Sequence, residues 1–299
     1  MMRNKTVVFH VGAHKTGTSL LQKYMRDNVG VLRRHRIYYL SRSDMNDYVG
    51  WGTRLLEDPG PLAHKIRQTL LIPWFKVLIA SHENTLGRPL ARGGAHLYPR
   101  APEVIEALGR LLAPYRPLIF LSIRPQDQFL ESYYLQSIHE GRHPTFAQWL
   151  EAIDLDAISW TPIADALFHT FGRERVEIVD FRTIKRGQQA YVGEFFTRID
   201  PRYAFEIQYD AMRNPSISEK GLRMALAANP HLKTGEERKL MRKFLQKHFS
   251  NVRYPRPVLF SEEQKRALQE RYGAEYEALV GGPAPTAAGA APTAGTVDR

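Results

Sequence analysis

The stretch Val7–Tyr24, VVFHVGAHKTGTSLLQKY, joins a strand pattern, a glycine-containing loop and the start of a helix. Its first residues are apolar and largely β-branched, as in a buried strand, and this pattern stops at Gly12. Beyond the loop, apolar residues at Leu20, Leu21 and Tyr24 have helical spacing. Because backbone N–H groups and the helix dipole converge where such a loop meets a helix, the stretch predicts a site for a phosphate-like anion.

The loop differs from the magnesium-nucleotide loop of P-loop triphosphatases at one position. Gly12 and Gly17 have the required spacing, but Thr18 occupies the position of the lysine, and Lys15 lies inside the loop. Lys15 supplies a positive charge, and hydroxyl donors are supplied by Thr16, Thr18 and Ser19. The pattern therefore predicts phosphate binding without a clear prediction of Mg-ATP. A glycine-rich turn without a ligand is the alternative.

The segment HVGAHKTGTS, residues 10–19, resembles the first motif of the sulfotransferases that use 3′-phosphoadenosine 5′-phosphosulfate (PAPS). In that family the motif binds the 5′-phosphosulfate. The resemblance implies the same role for the matching residues, which are His14, Lys15, Thr16, Gly17, Thr18 and Ser19. It also implies that Lys15 is catalytic, because its charge can stabilise the bridging oxygen as the nucleotide leaves.

A second segment, Arg124–Tyr134 (RPQDQFLESYY), follows the apolar run Leu118–Ile123 and resembles the family's second motif. In that motif an arginine and a serine eight positions later bind the 3′-phosphate of the donor. The matching residues here are Arg124 and Ser132. Arginine suits this task because its guanidinium donates two parallel hydrogen bonds to phosphate oxygens. Each segment alone occurs in many proteins, whereas the two in this order, each at a strand-to-helix junction, favour a nucleotide site.

Polar residues follow a further buried-strand pattern, Val77–Ala80 (VLIA). Glu83 and His82 are the candidate general bases there, and His14 in the loop is a third. We expect this strand to lie beside the one that feeds the phosphate loop, and alternation to direct His82 and Glu83 to opposite sides. The family resemblance favours Glu83, with a pKa raised by partial burial. A carboxylate that pairs with an arginine and a structural histidine are the alternatives.

Strand and helix patterns alternate along most of the chain, which predicts an α/β fold of three layers, with a parallel sheet between helices on both faces. The family resemblance implies the P-loop NTPase-like sulfotransferase fold. Residues 1–280 are interpreted as one domain that is helical only from about residue 216. Ser41–Pro61 and Gly87–Pro99 are interpreted as loops, the first able to close over a site, and 281–299 as a disordered tail of Ala, Pro, Gly and Thr.

The composition excludes several kinds of site. The 299 residues contain no cysteine, which rules out disulfides and thiolate metal ligands, and the histidines lack metal-ligand spacing, so no metal is predicted. No stretch approaches the roughly 20 apolar residues of a membrane span. The N-terminus also lacks a signal-peptide pattern, so the sequence predicts a soluble, cytoplasmic protein.

The net charge is +11, and more than half of it lies in His231–Arg256, where eight Lys or Arg stand against two Glu, for a net charge of +6. Such a segment predicts an anionic partner, for example an acidic glycan, a lipid headgroup or the nucleotide itself, or else it forms a solvated helix face. Nucleic acid is not expected, because no helix-turn-helix or RNA-binding signature accompanies the segment.

Together these features predict a sulfotransferase that transfers a sulfuryl group from PAPS to a hydroxyl or amine of a carbohydrate or lipid-linked glycan. The nucleotide product is then adenosine 3′,5′-bisphosphate. One alternative is a P-loop kinase that acts on a nucleotide or small molecule, which the missing Walker lysine disfavours. The other is a nucleic-acid-binding basic protein.

Overall fold

A computed structural model describes residues 5–90, 96–203 and 215–282 of the chain. Five strands are found in these ranges: β1 Thr6–Gly12, β2 Ile37–Leu40, β3 Val77–Ser81, β4 Leu118–Ile123 and β5 Val176–Asp180. They form one parallel sheet in the order β2-β3-β1-β4-β5. The predicted α/β class with a parallel sheet is therefore confirmed.

The helices of the first half are α1 Thr18–Asp27, α2 Val29–Arg34, α3 Arg42–Val49, α4 Thr53–Glu57, α5 Gly60–Leu70 and α6 Ala101–Leu112. Those of the second half are α7 Gln126–His139, α8 Phe146–Glu151, α9 Thr161–Phe171, α10 Gln188–Ile199, α11 Glu219–Ala228, α12 Gly235–His248 and α13 Glu262–Val280. Short 3-10 turns link several of them, among them Gly50–Gly52 and Phe181–Arg186. In the described part of the chain from 215 onward the regular elements are helices, as predicted.

β1 lies at the centre of the sheet because its side chains are apolar on both faces, as a strand covered on both sides requires. Phe9 and Val11 belong to one buried cluster, whereas Val8 packs into the other with Phe120 and Val179. The sheet is therefore covered by helices on both faces, which confirms the predicted layers. β3 and β4 flank β1, so the order in which strands are added to the sheet reverses beside β1. In such sheets a ligand is expected at the carboxyl ends of the strands at this point.

The interpretation of Ser41–Pro61 as an open loop is wrong. The segment contains α3 and α4, separated by the turn Gly50–Gly52. Ser41 and Asp44 form a capping box at the start of α3, and the apolar residues of the segment, Met45, Val49 and Leu55, are buried. A few apolar residues are enough to pack these two short helices on the core, because Met45 and Val49 lie one turn apart on the same side of α3.

Three expectations remain predictions. The single-domain interpretation of residues 1–280 is one of them, although Ile217 and Leu245 of the C-terminal part pack against Tyr134 and Ile138 of α7. Of Gly87–Pro99, residues 91–95 lie outside the described residues, and so does the tail from 283 to 299. The described remainder of Gly87–Pro99 contains neither helix nor strand, as predicted.

Candidate active site

The loop between β1 and α1 presents free backbone donors. Gly12 and Gly17 have positive φ angles of 119° and 84°, which an L side chain rarely adopts. A Cβ atom on Gly17 would also lie 2.9 Å from the Tyr191 ring. Within the described ranges, no acceptor faces the backbone N–H groups of residues 15–19. These groups and the N-terminus of α1 offer free donors where the sequence predicts an anion site, which stays a prediction, and we call residues 12–19 the phosphate loop after it.

Two of the three predicted hydroxyl donors brace the loop. Thr16 Oγ1 donates to the Ala13 carbonyl at 2.7 Å, and Thr18 Oγ1 donates to the same oxygen at 3.2 Å. Both threonines are buried, whereas Ser19 is exposed on the first turn of α1. Of the three hydroxyls, only that of Ser19 is therefore free for an anion in the loop, besides the backbone N–H groups of residues 15–19.

Lys15 is a half-buried cation without a carboxylate ion-pair partner among the described residues. Burial, with the charges of Arg124 and Arg242, lowers the pKa of Lys15 to about 8, and the charge of Glu140 opposes this shift only in part. Lys15, Arg124 and Arg242 are thus three cations whose charges repel one another at the phosphate loop. An anion bound there would relieve their repulsion and raise the pKa of Lys15 again.

Arg124 brings the end of β4 to the phosphate loop. Its Nη1 donates to the Lys15 carbonyl at 3.3 Å, and the guanidinium lies 5.1 Å from the centre of the Phe181 ring. Its Nε is buried and has no hydrogen-bond partner. The Trp160 indole N–H fixes the backbone by donating to the Arg124 carbonyl at 2.9 Å. Burial lowers the pKa of Arg124 to about 10, so it stays charged at neutral pH with a donor to spare.

Ser132 lies half-buried on α7, two turns after Arg124. It makes no hydrogen bond to Arg124 in the structure. Its assignment to the 3′-phosphate stays a prediction, as do the other sequence-based site assignments.

Glu83 follows β3, which pairs with β1 as expected. A Cβ atom on Gly12 would lie 3.2 Å from the Glu83 carbonyl, so the two loops touch. The Glu83 carboxylate accepts from Gln22 Nε2 at 3.0 Å and pairs with Arg42 at 2.8 Å, and its side chain is only 12% exposed. Burial raises its pKa, but the Arg42 charge, a backbone hydrogen bond and the Gln22 hydrogen bond hold the pKa below its ordinary value. The predicted upward shift is therefore wrong, because Glu83 pairs with an arginine, as the alternative interpretation of the sequence allows, and that arginine is Arg42.

His82 is held on both ring nitrogens. The Asn84 backbone N–H donates to Nδ1 at 3.2 Å, so Nε2–H donates to Asn46 Oδ1 at 2.9 Å. Burial lowers its pKa to about 4. A neutral ring with neither nitrogen free cannot take a proton from an acceptor without breaking these bonds. The geometry thus favours the structural role that the sequence left open for His82.

His14 is held in the same way. Its Nε2–H donates to Asn84 Oδ1 at 3.0 Å, and its Nδ1 accepts from the Tyr98 hydroxyl at 2.9 Å. The ring stacks on Trp51 with 5.5 Å between centroids, and burial lowers its pKa to about 4. The ring of His14 thus braces the loop against its surroundings and offers no free base.

Sequence reasoning missed His139, at the last turn of α7. Its Nε2 is buried without a hydrogen-bond partner. Burial lowers its pKa to about 4, and the charges of Arg242 and Lys15 act in the same direction. Unlike His82 and His14, it has an open ring nitrogen, and the charge of Lys15 acts on it. Its sequence context, an isolated histidine on a helix, gave no signal.

No family model matches the chain, and no curated protein matches it. One solved structure that is similar is a sulfotransferase. It comes from Alicyclobacillus acidocaldarius, is 15% identical, and aligns over 78% of this chain and 99% of that chain with a TM-score of 0.43.

Two general features complete the description. In residues 5–90, 96–203 and 215–282, no three His, Asp or Glu side chains gather where a metal ion could bind. In the same ranges, no helix is both long and apolar enough to cross a membrane.

A buried hydrogen-bond chain runs beneath the phosphate loop. The Tyr191 hydroxyl donates to the Thr16 carbonyl at 2.6 Å and therefore must accept from Ser122 Oγ at 3.1 Å. Ser122 Oγ then accepts from His10 Nε2–H at 3.2 Å, and His10 Nδ1 accepts from Ser81 Oγ at 2.9 Å. Burial lowers the pKa of His10 to about 4, which keeps the ring neutral. Each hydrogen bond in this series from Ser81 to the Thr16 carbonyl is therefore donated in the direction of the phosphate loop.

The same series of hydrogen bonds is connected to Glu83 through Gln22 of α1. Gln22 Nε2 donates both to the Ser81 carbonyl at 3.2 Å and to the Glu83 carboxylate at 3.0 Å. The loop carbonyl of Thr16 and the candidate base are thus connected through buried side chains of β1, β3, β4 and α10. The positions of the Thr16 carbonyl and of the Glu83 carboxylate depend on these hydrogen bonds. The hydrogen-bond network from Tyr191 to Gln22 should therefore contribute both to folding stability and to the geometry of the site.

Tyr191→Phe should destabilise the fold. The substitution leaves the buried Thr16 carbonyl without a donor and the Ser122 O–H without an acceptor, which costs about 1–3 kcal/mol of unfolding free energy. Urea titration of the two proteins measures this difference. Tyr38→Phe is the matched control, since the Tyr38 ring packs on Trp74 and Phe75 and its hydroxyl bonds no described residue. Equal stability of the Tyr191 and Tyr38 variants would show that the chain is energetically neutral.

Proposed function

We propose that the protein is a PAPS-dependent sulfotransferase that transfers a sulfuryl group to a hydroxyl or amine of its acceptor. The observation that carries the proposal is the convergence of unpaired donors at one crevice. The free N–H groups of residues 15–19, the unpaired Lys15 and the open Nε of Arg124 meet at the carboxyl ends of β1 and β4. Such a set fits a donor with two anionic groups, one at the loop and one at Arg124.

PAPS supplies the sulfuryl group: the bond from sulfur to the bridging oxygen breaks, a bond from sulfur to the acceptor atom forms, and adenosine 3′,5′-bisphosphate leaves. Lys15 and the loop amides are placed to stabilise the negative charge of the leaving phosphate. Glu83 is the proposed base for the acceptor proton, because it is ionised at neutral pH and its loop touches the phosphate loop. Arg42 and Gln22 hold the carboxylate in place.

For the acceptor we propose a carbohydrate or lipid-linked glycan with negative charge. Arg242, from the basic segment, lies near enough to Lys15 and His139 for its charge to lower both pKa values. An anionic acceptor in that part of the crevice would offset this charge. The cytoplasmic location expected from the sequence stays a prediction.

A P-loop kinase is the rival enzyme class. Thr18 stands at the position of the Walker lysine, and its hydroxyl is turned inward to the Ala13 carbonyl. The loop thus lacks the lysine that reaches the terminal phosphates of ATP, which favours the sulfotransferase proposal.

Calorimetric titrations with adenosine 3′,5′-bisphosphate and ATP, each with and without magnesium, and with an oligonucleotide separate the sulfotransferase from the kinase and from a nucleic-acid-binding protein. Tight binding that does not need magnesium is expected for a sulfotransferase. Binding of ATP only with magnesium would favour the kinase, and salt-sensitive binding of an oligonucleotide with neither would favour a nucleic-acid-binding protein.

Arg124→Ala should weaken selectivity for the 3′-phosphate. The ratio of affinities for adenosine 3′,5′-bisphosphate and adenosine 5′-monophosphate should fall on the order of 10- to 100-fold, since a charged hydrogen bond is lost. Arg124→Lys should retain part of the ratio. Arg110→Ala, which removes an exposed arginine paired with Glu106, is the control. An unchanged ratio in the Arg124 variants would mean that another residue binds the 3′-phosphate.

A further inference from the structure

Helix α12 has an inner and an outer face. On the inner face Leu245 is buried in the cluster that includes Tyr134 and Ile138 of α7, and Met241 packs against it. The outer face carries three exposed lysines at four-residue spacing, Lys239, Lys243 and Lys247. They are remote from the inner face by helical geometry, so they form a surface of their own.

Large apolar side chains are exposed beside these lysines. Leu240 is 60% exposed and Phe244 is 44% exposed. Phe244 continues into the segment after the helix, since its ring lies 5.6 Å from that of Phe249, which stacks on Tyr254 at 5.9 Å. Val252 and Val258 of this segment are 71% and 78% exposed. We refer to these residues of 239–258 as the α12 surface.

The charge of the α12 surface is not neutralised within the described residues. None of the three lysines forms an ion pair with a described carboxylate. Glu237 accepts instead from the backbone N–H groups of Lys233 and Thr234 at the start of the helix. Like charges four residues apart destabilise a helix, so the lysine row gains nothing from the protein itself.

We propose that the α12 surface docks the protein on a membrane that contains anionic lipids. Lysines beside protruding Leu, Phe and Val side chains fit such a surface, because the charges meet the headgroups while the apolar groups enter the boundary with the acyl chains. A second copy of the chain is disfavoured by repulsion between two segments of net charge +6. Nucleic acid would match the lysines but leave the exposed valines and Leu240 without a partner.

Co-sedimentation of the full chain with vesicles tests the proposal. Vesicles of phosphatidylcholine and phosphatidylglycerol in equal parts should bind the protein, and vesicles of phosphatidylcholine alone should not. Binding should weaken strongly with added salt. Equal binding to both kinds of vesicle, or to neither, would overturn the proposal.

Two variants locate the contact. Reversing the row, K239E with K243E and K247E, should weaken binding on the order of 100-fold or more, because each lysine contributes about 1 kcal/mol near an anionic surface. L240S with F244S should weaken it about tenfold or more at unchanged charge. Circular dichroism and melting temperature should match the unmodified protein, since all five side chains are exposed.

The control is a triple reversal elsewhere, at Lys65, Lys76 and Lys185, with the same change in net charge. It should keep most of the vesicle binding. An equal loss in this control would reduce the effect to net charge and overturn the α12 surface as the site. Oligonucleotide binding that depends on the row, with vesicle binding absent, would assign the row to nucleic acid. A mass change to a dimer that L240S with F244S abolishes, without vesicle binding, would assign it to a second copy. The docking proposal does not depend on sulfuryl transfer.

Discussion

Lys15→Ala is expected to abolish sulfuryl transfer while the protein stays folded. Lys15 has no carboxylate partner among the described residues, so its removal leaves no described carboxylate without its ion pair. Loss of a charge that stabilises the leaving group typically costs a factor of about 100 to 1000 in turnover. The measurement is the rate of formation of adenosine 3′,5′-bisphosphate from PAPS. Lys185→Ala, at an exposed position after β5, is the control.

The lowered pKa of Lys15 allows its role to be tested by the pH dependence of nucleotide binding. Since Lys15 loses its proton near pH 8 in the free protein, nucleotide affinity should fall as pH rises through about 8. Bound anion raises the pKa, so the fall is gradual. In Lys15→Ala this dependence should disappear. Normal turnover in the variant, or the same pH dependence as in the unmodified protein, would remove Lys15 from the mechanism.

Glu83→Gln should lower turnover on the order of a hundredfold or more at unchanged nucleotide affinity, because the side chain keeps its shape and loses its basicity. The base is active when ionised, so activity should fall as pH drops through the Glu83 pKa, which lies below its ordinary value. Arg42→Ala removes the ion pair that lowers this pKa. The acid limb of kcat/KM should therefore move to higher pH in Arg42→Ala.

Two results would contradict this assignment. An acid limb that Arg42→Ala leaves in place would mean that Glu83 is not the titrating group. Near-normal turnover in Glu83→Gln, together with an inactive His139→Ala, would transfer the role to the histidine with the open nitrogen. His82→Ala is less informative, since its loss of two hydrogen bonds would disturb Asn46 and Asn84 whatever its role.

The sequence predicts the backbone of the loop between β1 and α1 well because its signal is local. Gly12, Gly17 and the apolar residues on either side specify a strand, a turn and a helix within one short stretch. The same holds for the pairing of β3 with β1, which follows from buried strands in a parallel sheet. These features depend on backbone geometry and on hydrophobic pattern, both of which can be recognised without knowing distant contacts.

The electrostatics of the site could not be predicted, because they depend on contacts between distant segments. Arg42 reaches Glu83 only after α3 has formed, and α3 was hidden in a stretch that reads as polar. Burial alone suggests a raised pKa for Glu83, and the sign is reversed by the Arg42 charge with the hydrogen bonds to the carboxylate. The histidines show the same limit: in the sequence His14 and His82 are possible bases, whereas in the fold both rings are fully hydrogen-bonded.

The buried chain through His10 makes the protein sensitive to acid. An unfolded histidine takes up a proton below about pH 6.5, whereas His10 in the fold resists protonation until about pH 4. The unfolded state therefore binds more protons in this interval, so folding stability must decline as pH falls from 6.5 toward 4. His14, His82 and His139 act in the same direction. Acidification thus loads protons onto imidazoles at the carboxyl ends of the strands, and the fold can accept them only by giving up hydrogen bonds such as those of His10 and His14.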